Sequence, residues 1–308
     1  DYFNIRVWSA PGTLTNYALI GWFLGTQNAR VPFMIFLTIN VTNIVLDLVF
    51  VLGLGMQVNG VALASVIAEY AGASVGAAFV VGTLRRHPGD WLAGKLTRLG
   101  EYAAFFSVNS NLFIRTLALM FTLTFVTAQG ARMGGTILAA NALLMNLQNL
   151  TAFALDGIAH AAEALVGKAI GAGHRDALEA SVRLTLRWSL WFAVGLSLAY
   201  VVLGPVMVHV LTDLAEVRAA ALRYLPWLIA SPLVSVWSFL YDGVFVGATR
   251  AREMRNIMLA STVVFLVTWW STASYGNDGL WFAFLVFLAA RGLGMHVFYR
   301  RAVLPAAV

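Results

Sequence analysis

The sequence predicts an all-α polytopic membrane protein, and three observations carry that expectation: scarce charge, long apolar runs, and an internal repeat. Of the 308 residues, 60% are hydrophobic and 11% are charged, whereas soluble domains carry about a quarter charged residues. One buried core cannot absorb such a surplus. The apolar residues arrive in runs of about 20, the length an α-helix needs to cross the hydrocarbon layer, and short polar connections separate them. Lipid is the expected solvent for most of the chain.

Taken in order, the runs predict nine spans, at roughly 8–26, 32–54, 58–82, 103–128, 136–167, 180–207, 222–247, 255–275 and 279–300. The longest connection, 83–102, holds Arg85, Arg86, His87, Pro88, Lys95 and Arg98, as suits a solvated cytoplasmic linker between bundles. The expected domains are therefore 1–82, 83–102 as linker, and 103–308.

Basic residues fall unequally on alternate loops. Arg30, then Arg85, Arg86, Lys95 and Arg98, then Lys168 and Arg175, then Arg250, Arg252 and Arg255, then Arg300 and Arg301 share one side. Arg6, Arg132, Arg218 and Arg223 fall on the other. The richer side is expected to be cytoplasmic, and the C-terminus with it. The net charge of +6 then reports topology rather than a nucleic-acid partner.

Shifted by 222 residues, the chain matches itself: Tyr2 with Tyr224, Ser9 with Ser231, Gly21 with Gly243, Phe23 with Phe245, Gly25 with Gly247, Arg30 with Arg252 and Ile35 with Ile257. Repeats of several helices are a usual signature of transporters, whose substrate sites lie near the repeat interface. If the second half begins near residue 100, its counterpart would begin about 120 residues before Asp1, room for three more helices and a total of twelve. The chain opens on Asp1 with no signal sequence ahead of the first apolar run, so the expectation is of a chain cut at its start. The pairs Gly21/Gly25, Gly72/Gly76, Gly167/Gly171 and Gly243/Gly247 are expected to admit close helix packing.

Ionisable groups inside a membrane span are costly and are functional candidates by default. Asn40, Asn43 and Asp47 stand at i, i+3 and i+7 in the second span, one polar stripe on an apolar helix. A desolvated carboxyl there could hold a proton or a cationic substrate but not easily both, the minimal chemistry of an exchanger; the alternative is a satisfied structural carboxylate. Ser65 on the next helix could share that cavity or bond its own backbone. Asp156, His160 and Glu163 form a second stripe on the fifth span, open between a proton relay and a pairing of Glu163 with Arg115 or Lys168. Asp242, just before Gly243, is a further candidate, facing a cavity or bonding opened backbone. Glu69 and Arg291 are expected to be structural charges, or interfacial ones that can snorkel. There are no cysteines and no Cys/His pairs at metal spacing, so neither a disulfide framework nor a structural zinc site is expected. No phosphate-binding loop of Gly-xxxx-Gly-Lys-Ser/Thr form accompanies these groups, and none are grouped as nucleophile, base and orienter. Neither an ATP-driven pump nor an enzyme is expected, and no cofactor or metal.

YFNIRVWSAP at 2–11, NIVLD at 43–47, NGVALASVIAEY at 59–70, ALDGIAHAAEALVGKAIGAG at 154–173 and DGVFVGATRAREMRN at 242–256 together resemble the MATE family of multidrug and toxic compound extrusion transporters, DinF-like branch. The segments run the length of the chain in family order. The resemblance implies two pseudo-symmetric six-helix bundles, of which this chain supplies helices four to twelve. It also implies proton- or sodium-coupled antiport of small organic, often cationic, compounds from a monomer in the bacterial inner membrane. Asn43 and Asp47 match the family's cavity-lining Asn and Asp, and Ser65 stands where relatives often have Thr. The family's coupling Asp on helix one would precede Asp1, so this polypeptide alone is not expected to transport. A lipid-linked precursor or polysaccharide flippase, and a non-transporting scaffold or remnant, are the alternatives carried forward.

Overall fold

A computed structural model of the chain describes residues 2–86 and 102–307. The expected linker at 83–102 lies outside them except at its ends. Residues 83–86 are helical rather than linker, and Tyr102 closes the gap at the other end. The chain forms two compact units, Asp1–Thr97 and Arg98–Val308, and each is described by itself.

The first unit holds three long helices. A short helix, Tyr2–Arg6, and a 3-10 turn, Val7–Ser9, lead into α1 at Ala10–Gly25. The α-helix α2 runs over Arg30–Asp47 and widens into a π-helical turn at Leu48–Gly53. The span expected at 32–54 is helical from Arg30 to Gly53, with its last turns π rather than α. Next, α3 spans Gln57–Arg86 and packs against both α1 and α2. A Cβ on Gly72 or Gly76 would strike Ile39 or Ile35 of α2, so these two glycines admit the close approach expected of them.

The second unit holds α4 (Ala103–Arg132), α5 (Gly135–Gly171), α6 (Arg175–Leu211), α7 (Ala215–Gly247), α8 (Ala251–Thr272) and α9 (Asn277–Phe298). At 37 residues each, α5 and α6 outrun the roughly 20 residues that span the bilayer. Their ends, and the start of α7, carry Asp176, Glu179, Glu216 and Arg218, which hydropathy excludes from a span but water tolerates on a helix. For that reason α6 and α7 begin earlier than the expected 180 and 222. Pro205, Pro226 and Pro232 sit inside helices without ending them, because packed neighbours can meet the freed backbone groups. Among the described residues, eight helices are long and apolar enough to cross a membrane. The unbroken part of α1, at 16 residues, falls short of the others.

The best-buried pair in this unit is α7 and α9, with α5 set against α7. A Cβ at Gly243 or Gly247 would run into the α5 backbone at Ala159 or Glu163, whereas Gly21, Gly25 and Gly171 would meet nothing within 4 Å. Close packing at the glycine pairs therefore holds for Gly72/Gly76 and Gly243/Gly247 and not for the other two as pairs. Two apolar layers divide the interior. One surrounds Leu144, Leu228, Phe265 and Trp281; the other surrounds Val166, Leu178, Tyr241 and Met254.

The offset of 222 is written in the backbone. After α1, the N–H groups of Thr26, Gln27 and Asn28 donate to Trp22, Leu24 and Phe23; after α7, those of Ala248, Thr249 and Arg250 donate to Val244, Val246 and Phe245. Each partner is displaced by the same interval, and both helices close with a left-handed residue that lets the last carbonyls be met. The third helix of each set, α3 and α9, packs against both of its predecessors.

Candidate functional site

In the first unit, Asp47 is the last residue of α2 before the π turn, and one of its carboxylate oxygens, Oδ1, is buried without a protein partner. π-Helical turns inside membrane helices are disproportionately found at functional positions, because the extra residue per turn rotates the side chains and frees backbone groups. One turn back, the Asn43 amide donates to Ser65 Oγ on α3 at 3.3 Å. Asn40 does not join them: it is exposed, and its amide donates to Phe36 O of its own helix at 2.8 Å. The sequence stripe thus resolves into an Asn43–Ser65 link between two helices and a neighbouring acid with spare acceptor capacity.

A second polar contact in this unit was not foreseen. Asn16 of α1 is buried, and its amide donates to both the backbone and the side chain of Glu69, each at 2.9 Å. Glu69 is therefore held within the helix packing rather than snorkelling. The only sequence signal was a lone Asn on an apolar helix.

The second unit holds a cavity of about 500 Å³. Arg115 of α4, Gln148, Asp156, His160 and Glu163 of α5, Asp242 of α7 and Arg291 of α9 line it, so every second-unit candidate named from sequence reaches one space. Of the two readings open for the α5 stripe, the contact found is the one between His160 and its neighbouring acid. Glu163 bonds His160 Nδ1 at 3.3 Å, one helical turn away, and not Arg115 or Lys168. Arg115 pairs instead with Asp242. Arg291 is 3% exposed and donates to the same Asp242 Oδ2 at 2.7 Å, so of the two expected readings it is the structural charge and not the interfacial one. Burying a guanidinium is costly unless it is paired, and Asp242 supplies the pairing for two.

Polar bonds tie the surrounding helices to one another. Gln148 accepts a hydrogen bond from the Ser231 hydroxyl of α7, and the Thr151 and Tyr200 hydroxyls lie 2.8 Å apart between α5 and α6. Towards the start of α5, Asn141 and Asn277 exchange amide bonds at 2.7 and 3.0 Å, and Trp281 Nε1 donates to Asn141 Oδ1 at 3.0 Å. Among the described residues, no group of three or more His, Cys, Asp or Glu side chains is placed to hold a metal ion.

The family model described as MatE matches residues 111–270. The chain is 41% identical to DNA damage-inducible protein F of Escherichia coli (strain K12) over 97% of this chain and 65% of that protein. It is 25% identical to Protein DETOXIFICATION 43 of Arabidopsis thaliana over 95% of this chain and 55% of that one. The chain therefore spans between about half and two thirds of these relatives' lengths. Among solved structures, the Vibrio cholerae MATE transporter VcmN in the bent form superposes with a TM-score of 0.86 at 20% identity, over 99% of this chain and 70% of that one. A MATE structure in complex with MaL6 superposes with a TM-score of 0.88 at 15% identity, over 99% of this chain and 70% of the other. At those identities the likeness concerns the fold.

Proposed function

The chain belongs to the MATE family of multi-pass membrane transporters, on its DinF-like side, and on that premise we propose that it works in cation-coupled antiport of small organic, often cationic, compounds by alternating access. Proton or sodium is the coupling ion. Residues 1–82 and 103–308 then belong to two lobes, in the bacterial inner membrane with the C-terminus cytoplasmic.

The observation that carries this reading is Asp47. It is a carboxylate inside a membrane helix, set where α turns to π, with a buried oxygen free to take a proton or an ion and with Asn43 and Ser65 alongside. An acid that alternates between a coupling ion and a cationic substrate suffices for exchange, since either occupant neutralises it and both together overcharge the site.

The test is drug uptake into inverted vesicles carrying the intact protein, with a proton or a sodium gradient imposed separately. Uptake of an organic cation driven by one of the two gradients is expected. Uptake indifferent to both would overturn the coupled mechanism. The flippase reading gains Arg291 beside Arg115, but Asp156, Glu163 and Asp242 keep the cavity mixed in charge, so it stays second.

A further inference from the structure

The second-unit cavity holds a feature that cation exchange does not use. Arg115 and Arg291 arrive from different helices, α4 and α9, and both donate to one atom, Asp242 Oδ2. Each uses a single Nη2 for this. The Nε donors of both arginines are buried and unpartnered, and so is the other oxygen, Asp242 Oδ1. A guanidinium offers five donors in a planar fork suited to bidentate acids, and here two forks share one oxygen. The clamp carries one positive charge in excess and more donors than acceptors. Arg291 is 3% exposed and reaches the cavity, so a group that enters there meets its unused donors.

The geometry points to an anion site: an organic acid group, carboxylate, sulfonate or phosphate, takes the place of Asp242 on Arg115 and Arg291. Two or three ligand oxygens can use the forks that one carboxylate oxygen leaves idle. The rest of the molecule lies along the apolar wall of Phe153 and Leu119. Asp156 lines the same cavity, so an amine on the same ligand would find its counter-charge there. This names a substrate class for the transporter reading and rests on that reading only for movement across the membrane; binding at equilibrium needs no gradient. A failure here leaves the role of Asp47 standing, and the reverse is equally true.

The experiment is calorimetric titration of the intact protein in nanodiscs of neutral phosphatidylcholine with p-toluenesulfonate and, separately, with N-methylpyridinium. The sulfonate is expected to bind. Arg115→Gln is expected to weaken it about tenfold or more, and Asp242→Asn to tighten it several-fold by removing the internal competitor. Tightening cannot arise from a misfolded variant, so the pair of opposite signs keeps the test sound. Repeating it with phosphatidylglycerol present separates sources of the acid: displacement assigns a lipid headgroup, and no displacement assigns a soluble organic acid. A sulfonate that fails to bind, or Asp242→Asn that leaves it unchanged or weaker while N-methylpyridinium binds more tightly to Arg115→Gln, would overturn the proposal in favour of a cation site.

Discussion

Gln27 and Thr249, 222 residues apart, occupy the same left-handed backbone position, with φ of 61° and 55°, at the ends of α1 and α7. The turn needs that conformation to recover the last helix carbonyls, and a side chain there costs about 1–2 kcal/mol relative to glycine. Thr is β-branched and pays the greater steric penalty of the two. Thr249→Gly is therefore expected to raise stability by up to about 1 kcal/mol, seen as a later thermal unfolding midpoint in detergent. An unchanged or earlier midpoint would show that the threonine side chain is needed for something else.

Gly243 and Gly247 let α7 touch the α5 backbone, while Gly171 meets nothing. Gly243→Ala should then lose about 1–3 kcal/mol, because backbone cannot step aside as a side chain can. Gly171→Ala should be neutral or slightly stabilising, since alanine suits a helix better. Equal effects at the two positions, read by thermal unfolding, would contradict this packing.

The Asn141–Asn277 exchange is buried and also receives Trp281 Nε1. Asn141→Leu strands two donors and an acceptor and is expected to cost about 1–2 kcal/mol. The double variant Asn141→Leu with Asn277→Leu should cost less than the two singles added, as expected of groups that bond each other. Strict additivity in a double-mutant cycle would mean that the two amides act separately.

Ser65 supplies a hydroxyl to Asn43. Ser65→Thr keeps that hydroxyl and is expected to retain transport. Ser65→Ala is expected to reduce it several-fold, with the loss in affinity for the organic cation rather than in protein level in the membrane. Equal activity of the two variants would detach Ser65 from the site.

Among the described residues, eight helices are legible because each is an apolar run of membrane length, and the repeat is legible because glycine and arginine recur in register. The stripes were legible too, since residues three, four and seven apart share a helix face. Partners across helices were not. Whether Glu163 meets Arg115 or His160 depends on how α4 and α5 are rotated about their axes, and sequence spacing says nothing of that. Arg291 and Asp242, 49 residues apart, meet for the same reason. The end of α2 was also hidden: Leu48–Gly53 has the composition of ordinary α-helix, and only the backbone shows the π turn after Asp47.

If Asp47 couples ion to substrate, drug-stimulated proton release from inverted vesicles depends on its charge, and Asp47→Asn in the intact protein removes it. Asn keeps the size and loses the charge, so release should fall to background while the protein remains folded and inserted. Drug-stimulated release equal to that of the unaltered protein would contradict the assignment.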